Sequence, residues 1–198
     1  MDKFARNAMS RERTKILTDF ACWTALSALR SGAPIKARSD VYPLLRAIDF
    51  GPLFDLDRGD IGRDEFDSWH RGAVEKLLQL ERRLNVGWAA KILNVYLKTR
   101  AYVGEDGRPN LREQLHPPID GGLWEGLMQR FRSGSDVTNN THCVTRIKDI
   151  DSQECYDRII AGCRLAATAL HCCLIEVEQL WTGADVPLNE DVLPIPSG

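Results

Sequence analysis

Lys91 and Asp120 are the residues whose types and surroundings best suit chemistry. Lys91 lies in 86-VGWAAKILNVYLKTR-100, which reads as an amphipathic helix. Asp120 lies in 115-LHPPIDGGLWEGL-127, behind a Pro-Pro turn and ahead of two glycines. A lysine can hold a phosphate through its charge or, after losing its proton, attack an electrophilic carbon. An ordinary lysine is only about 0.1% neutral at pH 7.4, so most helical lysines are solvated charges. An aspartate at a helix start is ordinarily a cap, stabilising by about 1 kcal/mol. The same carboxylate can also stabilise positive charge on a substrate or activate water. Gly121 and Gly122 leave room beside it for a ligand or another backbone.

The neighbours of Lys91 sharpen its reading. The 85-NVG-87 break separates two helical stretches, and the first N–H groups of the second are expected to be free for a phosphate. From Arg82 to Gly104 there are five basic residues (Arg82, Arg83, Lys91, Lys98, Arg100) and no acidic one, which predicts a local positive surface. Helical geometry places Lys91, Asn94 and Lys98 on one polar face. Ile92, Leu93, Tyr96 and Leu97 lie elsewhere and are expected to supply core contacts.

This combination resembles the helix–hairpin–helix DNA glycosylases. In that superfamily a glycine-containing hairpin holds the DNA backbone, and an early lysine of the next helix is the nucleophile of bifunctional members. An aspartate follows a P-[VI]-D turn. The matching residues are Gly87, Lys91 and Pro118-Ile119-Asp120. The text K-I-L-N-V-Y-L-K is similar to the lysine helix of the all-helical archaeal 8-oxoguanine glycosylase branch. The resemblance covers residues 82–131, about a quarter of the chain. It departs from the usual L-P-G-[VI]-G-x-K hairpin: 84-LNVGWAAK-91 has one glycine and an extra residue, and 103-VGEDGRPNLREQLH-116 lengthens the Lys91–Asp120 spacing.

The resemblance implies excision of a modified or damaged base from DNA, in base repair or in defence against phage with modified DNA. Lys91 and Asp120 would be catalytic, and Gly87, Trp88, Asn94, Lys98 and Arg100 would contact DNA. Trp69, His70 and Trp124 are candidates for the base pocket by their proximity to these elements. No cofactor, metal or membrane is implied. His116, His142 and His171 do not have the spacing of a ligand set. Two other readings stay open: a non-catalytic helical DNA-binding module, and a helical protein-interaction subunit.

The elements that must position these residues are helical. Alternating Val-, Ile- and Thr-rich runs are almost absent. Helices are expected over 3–30, 40–48, 64–84, 88–102, 120–131 and 155–181, with inward apolar positions such as Phe4, Ala8, Ile16, Phe20, Trp23 and Ala25 on the first. Asp40 is a candidate cap. Residues 50–63 read as a turn-rich loop, and the polar run 132–141 as mobile or exposed. The expectation is an all-α domain of six to eight helices over 1–182, as one body or two lobes with a cleft between them. A helix–hairpin–helix element spans 64–102, and an extended tail covers 183–198.

The chain has 198 residues, is 43% hydrophobic and carries a net charge of −2, which suits a globular core and gives no bulk basic character. Six cysteines without a CxxC pair read as reduced, mostly buried thiols. Without an apolar leader behind the N-terminal charges, a cytoplasmic location is expected.

Overall fold

The computed structural model describes residues 3–29 and 32–183, with side chains from residue 11 onward. The described chain is all-helical, without a strand. Among the described residues nine α-helices follow one another: α1 Lys3–Ser27, α2 Arg38–Arg46, α3 Gly51–Phe54, α4 Arg63–Leu80, α5 Val86–Leu97, α6 Leu111–Gln114, α7 Gly121–Arg130, α8 Asp136–Thr141 and α9 Gln153–Leu170. Short 3₁₀ turns occupy Leu56–Arg58, Ile147–Asp149 and Leu174–Leu180, and a π-helical turn, Lys98–Val103, extends α5. The count exceeds the expected six to eight because α3, α6 and α8 are too short to show a period.

The central element is α5. Eleven of its twelve residues are buried, so the helix is covered on every side rather than amphipathic. It packs against α1, α4, α9 and the 147–149 turn. On α1 the buried positions are Ala21, Cys22 and Ala25, small residues that permit close packing. Ile16, Phe20 and Trp23, expected to face inward, are instead exposed, with Phe20 stacked on Trp23 at 5.7 Å. Phe4 and Ala8 lie outside the described side chains, and the expected tail beyond Gly183 lies outside the described residues.

Three boundaries differ from expectation. Helix α2 begins at Arg38, so Asp40 sits in its first turn and is not the cap. The polar run 132–141 is no exposed loop: Ser135 caps α8, and Val137, Thr138 and Thr141 are buried, the two threonine hydroxyls bonding to backbone carbonyls. The last helix breaks at His171, whose left-handed φ of 55° turns the chain into the 174–180 turn. That turn lies along α7 in backbone contact, since a side chain at Gly126 would collide with the Leu180 carbonyl. No single described helix is long and apolar enough to cross a membrane.

Candidate functional site

Helix α5 starts at a cap. The Asn85 side chain accepts the Trp88 N–H at 3.0 Å, and its amide donates to the Ile147 carbonyl at 3.2 Å. The Gly87 N–H donates to the Ile150 carbonyl at 3.0 Å. A side chain at Gly87 would strike Ile147 O and the Ile150 side chain. The expected phosphate site at this helix start is therefore corrected: its Gly87 and Trp88 amides are spent on the chain's own 147–150 segment and Asn85 cap, and Gly87 permits that close approach.

Helix α7 starts at Asp120, as the sequence predicts. Asp120 Oδ1 accepts the Leu123 N–H at 3.2 Å and the Trp181 indole N–H at 2.9 Å. Its Oδ2 faces Lys91, whose Nζ lies 3.1 Å away. Lys91 is 7% exposed, so this ion pair is largely withdrawn from water yet reaches a cleft. The cleft holds about 450 Å³ and is lined by Trp88, Lys91, Lys98, Asp120, Glu178 and Trp181 among others. The Lys91 ammonium is 6.0 Å from the Trp88 ring centre, within reach of its π face. Gly121 is open, and a methyl group there would meet nothing within 4 Å, whereas Gly122 is closed off by the Trp181 indole. Half the room expected beside the carboxylate is thus filled by the chain itself.

A second ion pair, Lys98 Nζ to Glu178 Oε1 at 2.7 Å, forms the far wall. Burial pushes the Glu178 carboxyl above its usual range, an effect Lys98 only partly offsets. The same pair also lines a neighbouring cleft of about 420 Å³. A wider cavity, about 700 Å³, lies away from Lys91, where Arg63, Arg112 and Arg164 are accompanied by Glu113 and Glu176. It lacks the Lys91–Asp120 chemistry.

Compared with family models, curated proteins and solved structures, the chain matches none.

The remaining sequence candidates are dispersed. Trp69 leans on Phe50 at 5.7 Å and donates to the Asp49 carbonyl, facing another cleft. Trp124 is buried and donates to the Thr141 carbonyl at 2.7 Å. His70 is 1% exposed. None of the three lines the Lys91–Asp120 cleft, because His70 and Trp124 are turned into the core and Trp69 toward a cleft of its own. Arg100 pairs with Asp106 at 2.8 Å and stacks over Phe54 at 3.6 Å. With Arg83 on Glu81, Lys91 on Asp120 and Lys98 on Glu178, four of the five expected surface cations are paired with carboxylates. The expected positive surface is thereby neutralised. Sequence reasoning missed Trp181 and Glu178, which lie beyond a helix break carrying neither Gly nor Pro.

Asn94 is also corrected: it faces the interior, one turn from Lys91. Its Oδ1 bonds to His70 Nε2 at 2.8 Å, and its Nδ2 donates to the Pro117 carbonyl at 3.0 Å and the Tyr156 hydroxyl at 2.9 Å. Tyr156 in turn bonds to His116 Nδ1 at 3.0 Å, and His116 Nε2 to Asp67 at 3.0 Å. Arg164 closes the chain on Asp67 at 2.7 Å. Burial pushes the Asp67 carboxyl up, but His116 and Arg164 outweigh it and hold it below the usual range. Burial lowers His116, with Asp67 only partly opposing. Burial, then the repulsion the two imidazoles would feel if both were protonated, pushes His70 down to about 3.

Proposed function

We propose that the Lys91–Asp120 cleft excises a modified or damaged base from DNA, with Lys91 as nucleophile. The observation that carries this reading is the 3.1 Å approach of an amine and a carboxylate in a cleft of about 450 Å³, a size suited to a small ligand. Trp88 and Trp181 supply flat apolar walls, and the target base would have to leave the stack to reach them.

In this reading Lys91 passes a proton to Asp120 and its neutral amine attacks the sugar's C1′. The new C–N bond replaces the glycosidic bond, whose electrons leave with the base, and Asp120 hands the base the proton it took from Lys91, becoming a carboxylate again. Asp120 then faces the positive charge that develops as the sugar ring opens to a Schiff base. Loss of a C2′ proton expels the 3′ phosphate, the lyase step.

The protein-interaction reading is favoured by one observation, the exposed Ile16, Phe20 and Trp23 on α1.

The test is reductive trapping. Duplexes carrying 8-oxoguanine, uracil or an abasic site are incubated with the protein and borohydride, and the adduct is mapped by mass spectrometry. The expected result is a covalent adduct on Lys91 that Lys91→Ala abolishes. Base release without an adduct would point instead to a monofunctional enzyme using Asp120. Neither release nor adduct from any duplex would sink the enzymatic reading.

A further inference from the structure

The buried chain from Asp67 to Asn94 has only one consistent arrangement of protons. Asp67, as a carboxylate, can only accept, so His116 donates from Nε2. The Nδ1 of a neutral His116 then accepts, and the Tyr156 hydroxyl is its donor. That leaves the Tyr156 oxygen to accept from Asn94 Nδ2, whose other hydrogen goes to the Pro117 carbonyl. Asn94 Oδ1 accepts from His70 Nε2. Among the described residues no buried side-chain nitrogen or oxygen lacks a partner. The acceptor-only carboxylate and the neutral His116 set the bonds as far as Tyr156, and the Pro117 carbonyl, also an acceptor, sets the Asn94 amide.

The chain ends on the two backbones that carry the ion pair. Asn94 lies one helical turn after Lys91 on the rigid α5. Pro117 lies three residues before Asp120, and the intervening segment is stiffened by Pro118. The Asn94–Pro117 bond therefore ties the Asp120 turn to the Lys91 helix. It is the one side-chain hydrogen bond described between α5 and residues 115–119.

We infer that Asn94, Tyr156 and His116 are positioning residues that set the separation of Lys91 and Asp120 from inside the core. Asn94 does not act by touching a ligand; it aims Asp120 by holding Pro117, and Tyr156 and His116 hold Asn94 in the orientation that does so. The kinetic part of this inference rests on the base-excision reading; the geometric part does not.

The test separates the two. Wild type, Tyr156→Phe, His116→Leu and His116→Gln are treated with limiting succinimidyl acetate. Acetylation of Lys91 is read by mass spectrometry against exposed Lys76 in the same sample. Gln at 116 keeps a donor for Asp67 and an acceptor for Tyr156, whereas Leu keeps neither. The expected result is a Lys91/Lys76 ratio raised about fivefold or more in Tyr156→Phe and His116→Leu and close to wild type in His116→Gln. Leu77→Ala, a core substitution outside the chain, controls for general loosening and should leave the ratio unchanged. An unchanged ratio in folded Tyr156→Phe and His116→Leu, or an equal rise in Leu77→Ala, overturns the inference whatever the activity. In parallel, single-turnover trapping should slow about tenfold in Tyr156→Phe while duplex affinity stays within about twofold. If wild type forms no adduct but the labelling pattern holds, the base-excision reading fails and the positioning role stands. If wild type forms the adduct and Tyr156→Phe traps at the same rate, the positioning role fails and the reading stands.

Discussion

Helices α5 and α7 begin alike and end up differently employed. Each has a capping side chain, a glycine within two residues and a tryptophan within four: Asn85, Gly87, Trp88 and Asp120, Gly122, Trp124. At α5 both functions of the Asn85 amide are used on the protein, and the glycine is covered by Ile147 and Ile150. At α7 one carboxylate oxygen does the capping and the other is left for Lys91 at the edge of a cleft. An amide cap is used up by structure; a carboxylate cap has an oxygen and a charge to spare. A glycine behind either cap marks where the chain approaches itself, at Gly87 by the 147–150 segment and at Gly122 by Trp181.

The sharpest way to break this contrast is to remove the cap at α7. Asp120→Ala should cost about 3 kcal/mol, because it strands the buried Lys91 charge and two N–H donors together. Calorimetry should show Tm falling by roughly 6–12 °C in a chain of this size. Lys91→Met should cost under about 1 kcal/mol, since Asp120 keeps its Leu123 and Trp181 donors. Equal losses in the two variants would mean that the carboxylate is as fully used by structure as Asn85 is.

Gly87→Ala comes next, at about 2 kcal/mol, because backbone stands where the methyl must go. Gly121→Ala should be neutral or slightly stabilising, its surroundings being open. Denaturant midpoints compare the two directly. A neutral Gly87→Ala would show that the α5 start has slack.

Acid should act on α7 before α5. His70 and His116 are buried neutral, and in the unfolded chain they take up protons near pH 6.5. Between pH 6.5 and the lowered folded values the unfolded state binds more protons, so stability falls as pH falls. His70 alone contributes a loss of about 2 kcal/mol between pH 6.5 and pH 5. Asp67, Asp157 and Arg164 face His116, and Arg164 opposes its protonation. Because this cluster holds Pro117, hydrogen exchange corrected for intrinsic rates should quicken at the Leu123 amide before the Trp88 amide. The reverse order would separate the cluster from the Asp120 turn.

The smallest effect is expected at the α5 cap: Asn85→Ala should cost about 1 kcal/mol by chemical denaturation, with no change in Lys91 labelling. A change there would mean that the two helix starts are coupled.

The helices are legible in the sequence because apolar periodicity is local. Lys91 and Asp120, paired by a resemblance covering a quarter of the chain, do meet, and Trp88 and Lys98 do line their cleft. Asn94 misleads for a physical reason. Its spacing from Lys91 and Lys98 suggests a polar stripe facing solvent, but a helix covered on every side has no solvent face, so its polar residue must find partners inside. Trp181 and Glu178 are illegible because the bend that delivers them is made at His171 without a glycine, and only a few per cent of non-glycine residues take a left-handed conformation. The buried threonines of α8 look like loop because hydroxyls bonded to nearby backbone carbonyls leave no apolar signature.

The contact between Gly126 and the Leu180 carbonyl has a consequence for how freely this site can be rewritten. It joins backbone to backbone, and together with the buried Leu174, Ile175 and Val177 it holds the 174–180 turn without calling on Glu178 or Gln179. Glu178, which looks into the cleft, and Gln179, which lines its neighbour, can be exchanged while the wall that presents them stays in place. A glycine with no chemistry of its own thus makes the opposite wall a replaceable lining, open to redesign one residue at a time.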